Sequence, residues 1–236
     1  MDLEVQTRVQ SSNDGVNWLA DKNMPPNIAE RARIFTCDWP SDLFERSDLI
    51  QKEIEELARL LLDGIERRPS ATNANLRGRD RPILFIASCL GGIILMKALV
   101  IADHNYLPIR KATRAIVFLA TPFGDASFQD LVNWAVPGLK AWVAIRGQEV
   151  NKMLKAVEQP TFDVDELARS FTQLCRNDYL DLVMTFDETG QTNLYHKVFR
   201  YLPISSKQLV DKSSATLQMV PDPLPLDRPH ITTNRF

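Results

Sequence analysis

Leu3, Val5, Thr7 and Val9 alternate with polar neighbours, which predicts an opening half-buried strand. Polar Ser11 to Gly15 ends it, and Val16 to Leu19 starts a short helix. After Pro25-Pro26, the run Ala32 to Cys37 reads as a second strand that stops at Asp38-Trp39-Pro40. Ser47 and Asp48 then offer N-cap oxygens to a long amphipathic helix. Its apolar stripe is Ile50, Ile54, Leu57, Leu61 and Ile65, with Glu53, Glu55, Glu56, Arg59 and Glu66 on the wetter side. A polar loop over 67–81 leads into the apolar run Ile83 to Ile86. The turn Ala87-Ser88-Cys89-Leu90-Gly91-Gly92 follows, and then a second apolar run at helical spacing.

Further along, Ala115 to Ala120 reads as a buried parallel strand closed by Thr121-Pro122. Leu131 to Ile145, with Trp134, Pro137 and Trp142, has the look of a cap. Val164 to Leu174 predicts a helix, and Leu180 to Phe186 a strand that ends in the turn Asp187 to Gly190. Lys207 to Asp211 is the last strand candidate. Strands alternating with helices predict an α/β fold, a mostly parallel sheet with helices on both faces. With no internal repeat or linker, residues 1–236 read as one domain. Residues 125–175 form a lid- or cap-like helical insertion within it, and residues 220–236 a proline-rich tail.

Composition removes several function classes. A net charge of −2 over 236 residues gives no electrostatic footprint for nucleic acid or an anionic membrane. The longest apolar run, Ile93 to Ala102, is broken by Lys97 and falls short of the roughly 18 residues a spanning helix needs. Three cysteines, Cys37, Cys89 and Cys175, lie too far apart for a disulfide framework or a zinc site. Together with an N-terminus lacking a secretory signal, they predict an intracellular, cytoplasmic setting. Ser88 to Gly92 supplies neither G-x-G-x-x-G nor Gly-Lys-Ser/Thr, so dinucleotide and P-loop chemistry are set aside and no cofactor or metal is implied.

Strand, sharp turn and helix around Cys89 is the context in which a nucleophile elbow is built. The elbow demands small residues two before and two after its centre, and Ala87 and Gly91 meet that demand; Gly92 clears a further side chain. The centre holds Cys89 where the G-x-S-x-G pattern has serine. Asp187 and Glu188 stand at the end of a predicted parallel strand, where α/β sites gather.

In order, the words ARIFTCDWPSD, ILFIASCLGGIILMKAL, TRAIVFLATPFGD, LVMTFDETG, QLVDKSSATL and LDRPHITTNRF resemble the intracellular lipase-like serine esterases of the α/β-hydrolase superfamily. The likeness is closest to the version found as an N-terminal domain in fungal NOD-like receptor proteins, and it covers the chain from about Trp18 onward. It implies Cys89 as nucleophile, an acid at the end of the LVMTF strand and His230 as the histidine, in the superfamily's chain order. The family's glutamate followed by threonine points to Glu188, with Asp187 and Asp211 as alternatives. The implied substrate is a small-molecule or lipid ester or thioester, and the implied partners are further domains of a longer parent protein.

The chain departs from the family at three places. Cys89 replaces serine, and Ala87-Ser88 stands where the family has Gly-His. The third departure concerns the oxyanion. One donor would be the Leu90 amide, but the stretch that should supply the second, Ser11 to Gly15, has no His-Gly turn. Losing one such donor costs about 3 kcal/mol of transition-state stabilisation. The region before Trp18 is also shorter than the family's, so either N-terminal strands are missing or the copy has diverged. Two functions follow: an esterase working through an acyl-enzyme on Cys89, or a degenerate hydrolase-like interaction or signalling module.

Overall fold

In the computed structural model of the chain, the residues described are Phe35, Cys37, 50–67, 82–102, 106–124, 163–178, 182–190 and 210–229. They form α1 (Ile50–Glu66), β1 (Ile83–Ser88), α2 (Leu90–Ile101), α3 (Leu107–Ala112), β2 (Thr113–Leu119), α4 (Val164–Asp178), β3 (Val183–Gly190) and β4 (Leu224–Pro229). The expected opening strand, the short helix at Val16, the N-cap residues Ser47 and Asp48, and the Leu131–Ile145 segment lie outside the described residues.

The strands form one sheet in the order β1-β2-β3-β4, each pair parallel, so this is an α/β fold. Adjacent parallel strands joined by right-handed crossovers place their connecting helices on one face. Accordingly α2 packs against both α1 and α4, and all four described helices belong to one layer. Helices on both faces were expected; among the described residues one face is covered. On the other, Ile86, Val117 and Met184 line up in register, as do Leu84 with Ala115 and Phe186 with Leu224. Leu84, Ile86, Met184 and Leu224 are exposed there.

The core lies between the sheet and the helix layer. From α1 it takes Ile54, Leu57, Ala58, Leu61 and Leu62, the predicted stripe widened by its i+1 neighbours. Helix α2 is apolar on all sides because it is surrounded, with Ile93, Ile94, Leu95, Met96, Ala98 and Leu99 buried. Its Lys97 reaches Glu55 of α1 at 3.3 Å. Arg59 first, then Lys97, hold the Glu55 carboxyl below its ordinary range. Helix α4 is started by Asp163, whose Oδ1 accepts the Glu166 amide at 2.6 Å as an N-cap. It buries Val164, Leu167, Phe171 and Cys175 in the same core. Through these residues α4 packs into the core layer. The ring of Phe118 in β2 meets Phe123 at 5.2 Å and Phe171 at 5.7 Å, both edge to face.

Two segments depart from expectation at the carboxyl end of the sheet. Strand β3 runs on through Asp187 to Gly190, where a turn was expected, because β4 pairs with it at Asp187, Glu188 and Gly190. Strand β4 itself arises from the proline-rich tail. Pro225 and Pro229 remove two backbone donors, a loss tolerated in a strand that is paired on one side only among the described strands. Val210 and Asp211, expected in a strand, lie in a loop. No helix among the described residues is long and apolar enough to cross a membrane.

Candidate functional site

Strand β1 turns into α2 at Cys89, whose backbone adopts φ 52° and ψ −128°. For a residue with a Cβ, positive φ stores about 1–3 kcal/mol of strain and persists only where surrounding contacts fix it. Those contacts are present. The Cys89 amide donates to the Leu119 carbonyl at 3.0 Å, and its own carbonyl accepts from Gly92 N–H at 3.0 Å. Leu90, the first helical residue, has an N–H without an intrahelical acceptor at the positive end of α2.

Gly92 is what allows α2 to start so close to the sheet. A Cβ there would lie 2.2 Å from Thr121 Oγ1 and 2.5 Å from its Cγ2. Thr121 is fully buried, and its hydroxyl has no hydrogen-bond partner among the described residues. It acts as a wedge between the exit of β2 and the first turn of α2.

The exits of successive strands are stapled to one another. Ala120, just past β2, also has positive φ (46°), and its amide donates to the Phe186 carbonyl at 2.8 Å. One strand further, Glu188 N–H donates to the Val210 carbonyl at 3.2 Å, and Val210 N–H donates to Glu188 Oε1 at 2.7 Å. Val210 is also packed, with Ala120 and Ala215, against half-buried Cys89. Cys89 thus packs against a cluster one member of which, Val210, is hydrogen-bonded to the Glu188 carboxylate.

The three candidate carboxylates have different surroundings. Glu188 is fully buried at the carboxyl end of β3 and accepts the Val210 amide. Asp187 is also buried, and burial raises its carboxyl above the ordinary range, while Lys212 pulls the other way. Asp211 is exposed, and its Oδ1 accepts from Ser213 Oγ and the Ser214 amide, both at 2.8 Å. Of the expected site residues, Cys89, Leu90, Asp187, Glu188 and Asp211 thus lie toward one end of the sheet, whereas His230, the residue after β4, lies outside the described residues.

Sequence reasoning missed Val210, Ala215 and the wedge role of Thr121. The one local signal for this corner was Asp211 followed by Ser213-Ser214, a side-chain-to-backbone turn pattern. Among the described residues no group of three His, Cys, Asp or Glu side chains is placed to hold a metal ion. Compared with protein-family models, curated proteins and solved structures, the chain matches none of them.

Proposed function

We propose that the carboxyl end of this sheet is an acyl-transfer site of the α/β-hydrolase type, with Cys89 as nucleophile, Glu188 as the orienting acid and His230 as general base. The observation that carries the reading is the positive-φ bend at Cys89, packed against the Ala120, Val210 and Ala215 cluster whose Val210 is bonded to a buried carboxylate two strands away. Strand order supports it as well: nucleophile after β1, acid at the end of β3, and histidine directly after β4 follow the chain order of that superfamily.

In this reading the imidazole of His230 takes the thiol proton while the Cys89 sulfur bonds to the acyl carbon of an ester or thioester. The Leu90 N–H faces the oxyanion that develops. Collapse of the tetrahedral species breaks the bond to the leaving group, which departs with the imidazolium proton. Water then gives a proton to the imidazole and its oxygen to the acyl carbon. The carboxylic acid leaves, and the thiol regains its proton. Glu188 accepts from the imidazole and holds its tautomer.

A second reading is favoured by the thiol's apolar neighbours Ala120, Val210 and Ala215. In it the chain is a hydrolase-derived interaction module, cytoplasmic and part of a longer receptor-type protein. One experiment separates the two. Purified protein is incubated with short- and long-chain p-nitrophenyl esters and, separately, with iodoacetamide. The enzyme reading expects turnover that disappears in Cys89→Ala and falls sharply in Glu188→Gln. Turnover surviving Cys89→Ala overturns the mechanism. No turnover, with Cys89 alkylated no faster than a free peptide thiol, overturns the enzyme reading and favours the module.

A further inference from the structure

We infer that Asp211 is the positioning residue of this site, and that it acts through the turn it builds and not as an acid of the chemistry. The inference rests on the acyl-transfer reading for its consequence, but its geometry stands on the turn alone. Asp211 Oδ1 gathers Ser213 Oγ and the Ser214 amide, each at 2.8 Å. The same turn closes with Ala215 N–H on the Asp211 carbonyl at 3.0 Å and Thr216 Oγ1 on the Lys212 carbonyl at 2.7 Å. It is tied to the exit of β2 by Phe123 N–H donating to the Ser214 carbonyl at 2.9 Å.

Both flanks of the turn bear on the site. On one side Val210 exchanges two hydrogen bonds with Glu188, one of them to the carboxylate. On the other, Ala215 joins Val210 and Ala120 against Cys89. Val210 and Glu188 are 22 residues apart, so this bond to the carboxylate is delivered from outside β3. Its partner amide is delivered by a turn whose shape depends on Asp211. An exposed carboxylate that accepts two bonds within its own turn is suited to shaping backbone, whereas a buried one at the carboxyl end of the sheet is suited to orienting an imidazole.

The prediction distinguishes asparagine from alanine, since asparagine keeps an acceptor oxygen for an Asx-type turn and loses only the charge. Three variants, Asp211→Asn, Asp211→Ala and Ser213→Ala, are compared with wild type by hydrogen exchange at the Val210 and Ser214 amides. The pH profile of Cys89 alkylation is recorded beside it. Asp211→Ala should speed exchange at Val210 by about tenfold or more, the scale of one lost charge-assisted hydrogen bond. It should also move the alkylation profile onto that of Glu188→Gln. Asp211→Asn should stay near wild type in both readouts, and Ser213→Ala should show a smaller change in the direction of alanine. Equal damage from asparagine and alanine overturns the inference, because the charge itself would then be the working part; so does an unchanged Val210 amide in Asp211→Ala. If wild-type Cys89 proves unreactive, the acyl-transfer reading fails by itself, and the exchange data alone decide the role of Asp211.

Discussion

Gly92→Ala puts the packing of the bend to a test in which the sign of the effect is decisive. In an unhindered helix, replacing glycine by alanine stabilises by up to about 1 kcal/mol, because alanine loses less backbone entropy. Here the new methyl would lie 2.2, 2.5 and 2.9 Å from the Oγ1, Cγ2 and Cβ atoms of Thr121. Non-bonded heavy atoms rest at about 3.5–4.0 Å, so Thr121 or the first turn of α2 has to move by roughly 1 Å. Neither yields easily. Thr121 is fully buried between Ala120, held at φ 46°, and Pro122, while Gly92 N–H is bonded to the Cys89 carbonyl.

Overpacking of this kind costs about 1–3 kcal/mol, and the gain in helix propensity offsets part of it. The net expectation is a loss of about 1–2 kcal/mol, or about 2–8 °C in melting temperature for a chain of this size. Chemical denaturation of wild type, Gly92→Ala, Thr121→Ala and the double variant closes a mutant cycle. Thr121→Ala removes two of the three contacting atoms, so the alanine at 92 should be better tolerated in that background, with a coupling of at least about 0.5 kcal/mol. A Gly92→Ala protein as stable as wild type, or a penalty unchanged when Thr121 is truncated, would refute the wedge.

Two other expectations concern a buried ring and a buried carboxyl. Phe171→Ala, which removes a fully buried ring in edge-to-face contact with Phe118, should cost about 3–5 kcal/mol by denaturant titration, and a loss below about 1 kcal/mol would contradict the packing described. Asp187→Asn reports on burial of charge. Burial raises the native Asp187 carboxyl above its ordinary value of 3.8, so the native state holds that proton more tightly than the unfolded chain does. The stability tied to the neutral form is complete below 3.8 and is lost as pH rises through the raised native value. Measured from pH 4 to pH 7, the advantage of Asp187→Asn over wild type should grow and then level off; a gap that shrinks on raising the pH would reverse the argument.

The parts of the fold that were legible are those whose signal is local. The stripe of α1 announces itself through spacing, and the core confirms it at Ile54, Leu57 and Leu61. The mostly apolar α2 was readable too, as was the small-residue turn before it, because a tight strand-to-helix bend restricts several neighbouring residues at once. What escaped depends on partners distant in sequence. Asp187 to Gly190 has the composition of a turn, yet pairing with β4 extends the strand through it. Strand β4 is hidden by its prolines, which propensity rejects and an edge position accepts. Val210 looked like the end of a strand, but Asp211 folds the chain into a turn there. Helix α3 has six residues and starts with Pro108 near its N-terminus, too short for any period to show. The bond between Val210 and Glu188 leaves no mark in either neighbourhood.

The prolines of β4 have a further consequence for how the molecule meets its own kind. Among the described strands β4 ends the sheet on one side, and Pro225 and Pro229 leave that strand two backbone N–H groups short. Such an edge is a poor template for strand addition, whether by another protein or by unfolded copies during synthesis. Exchanging both prolines for valine would restore those two donors and turn a blunt border into a more adhesive one.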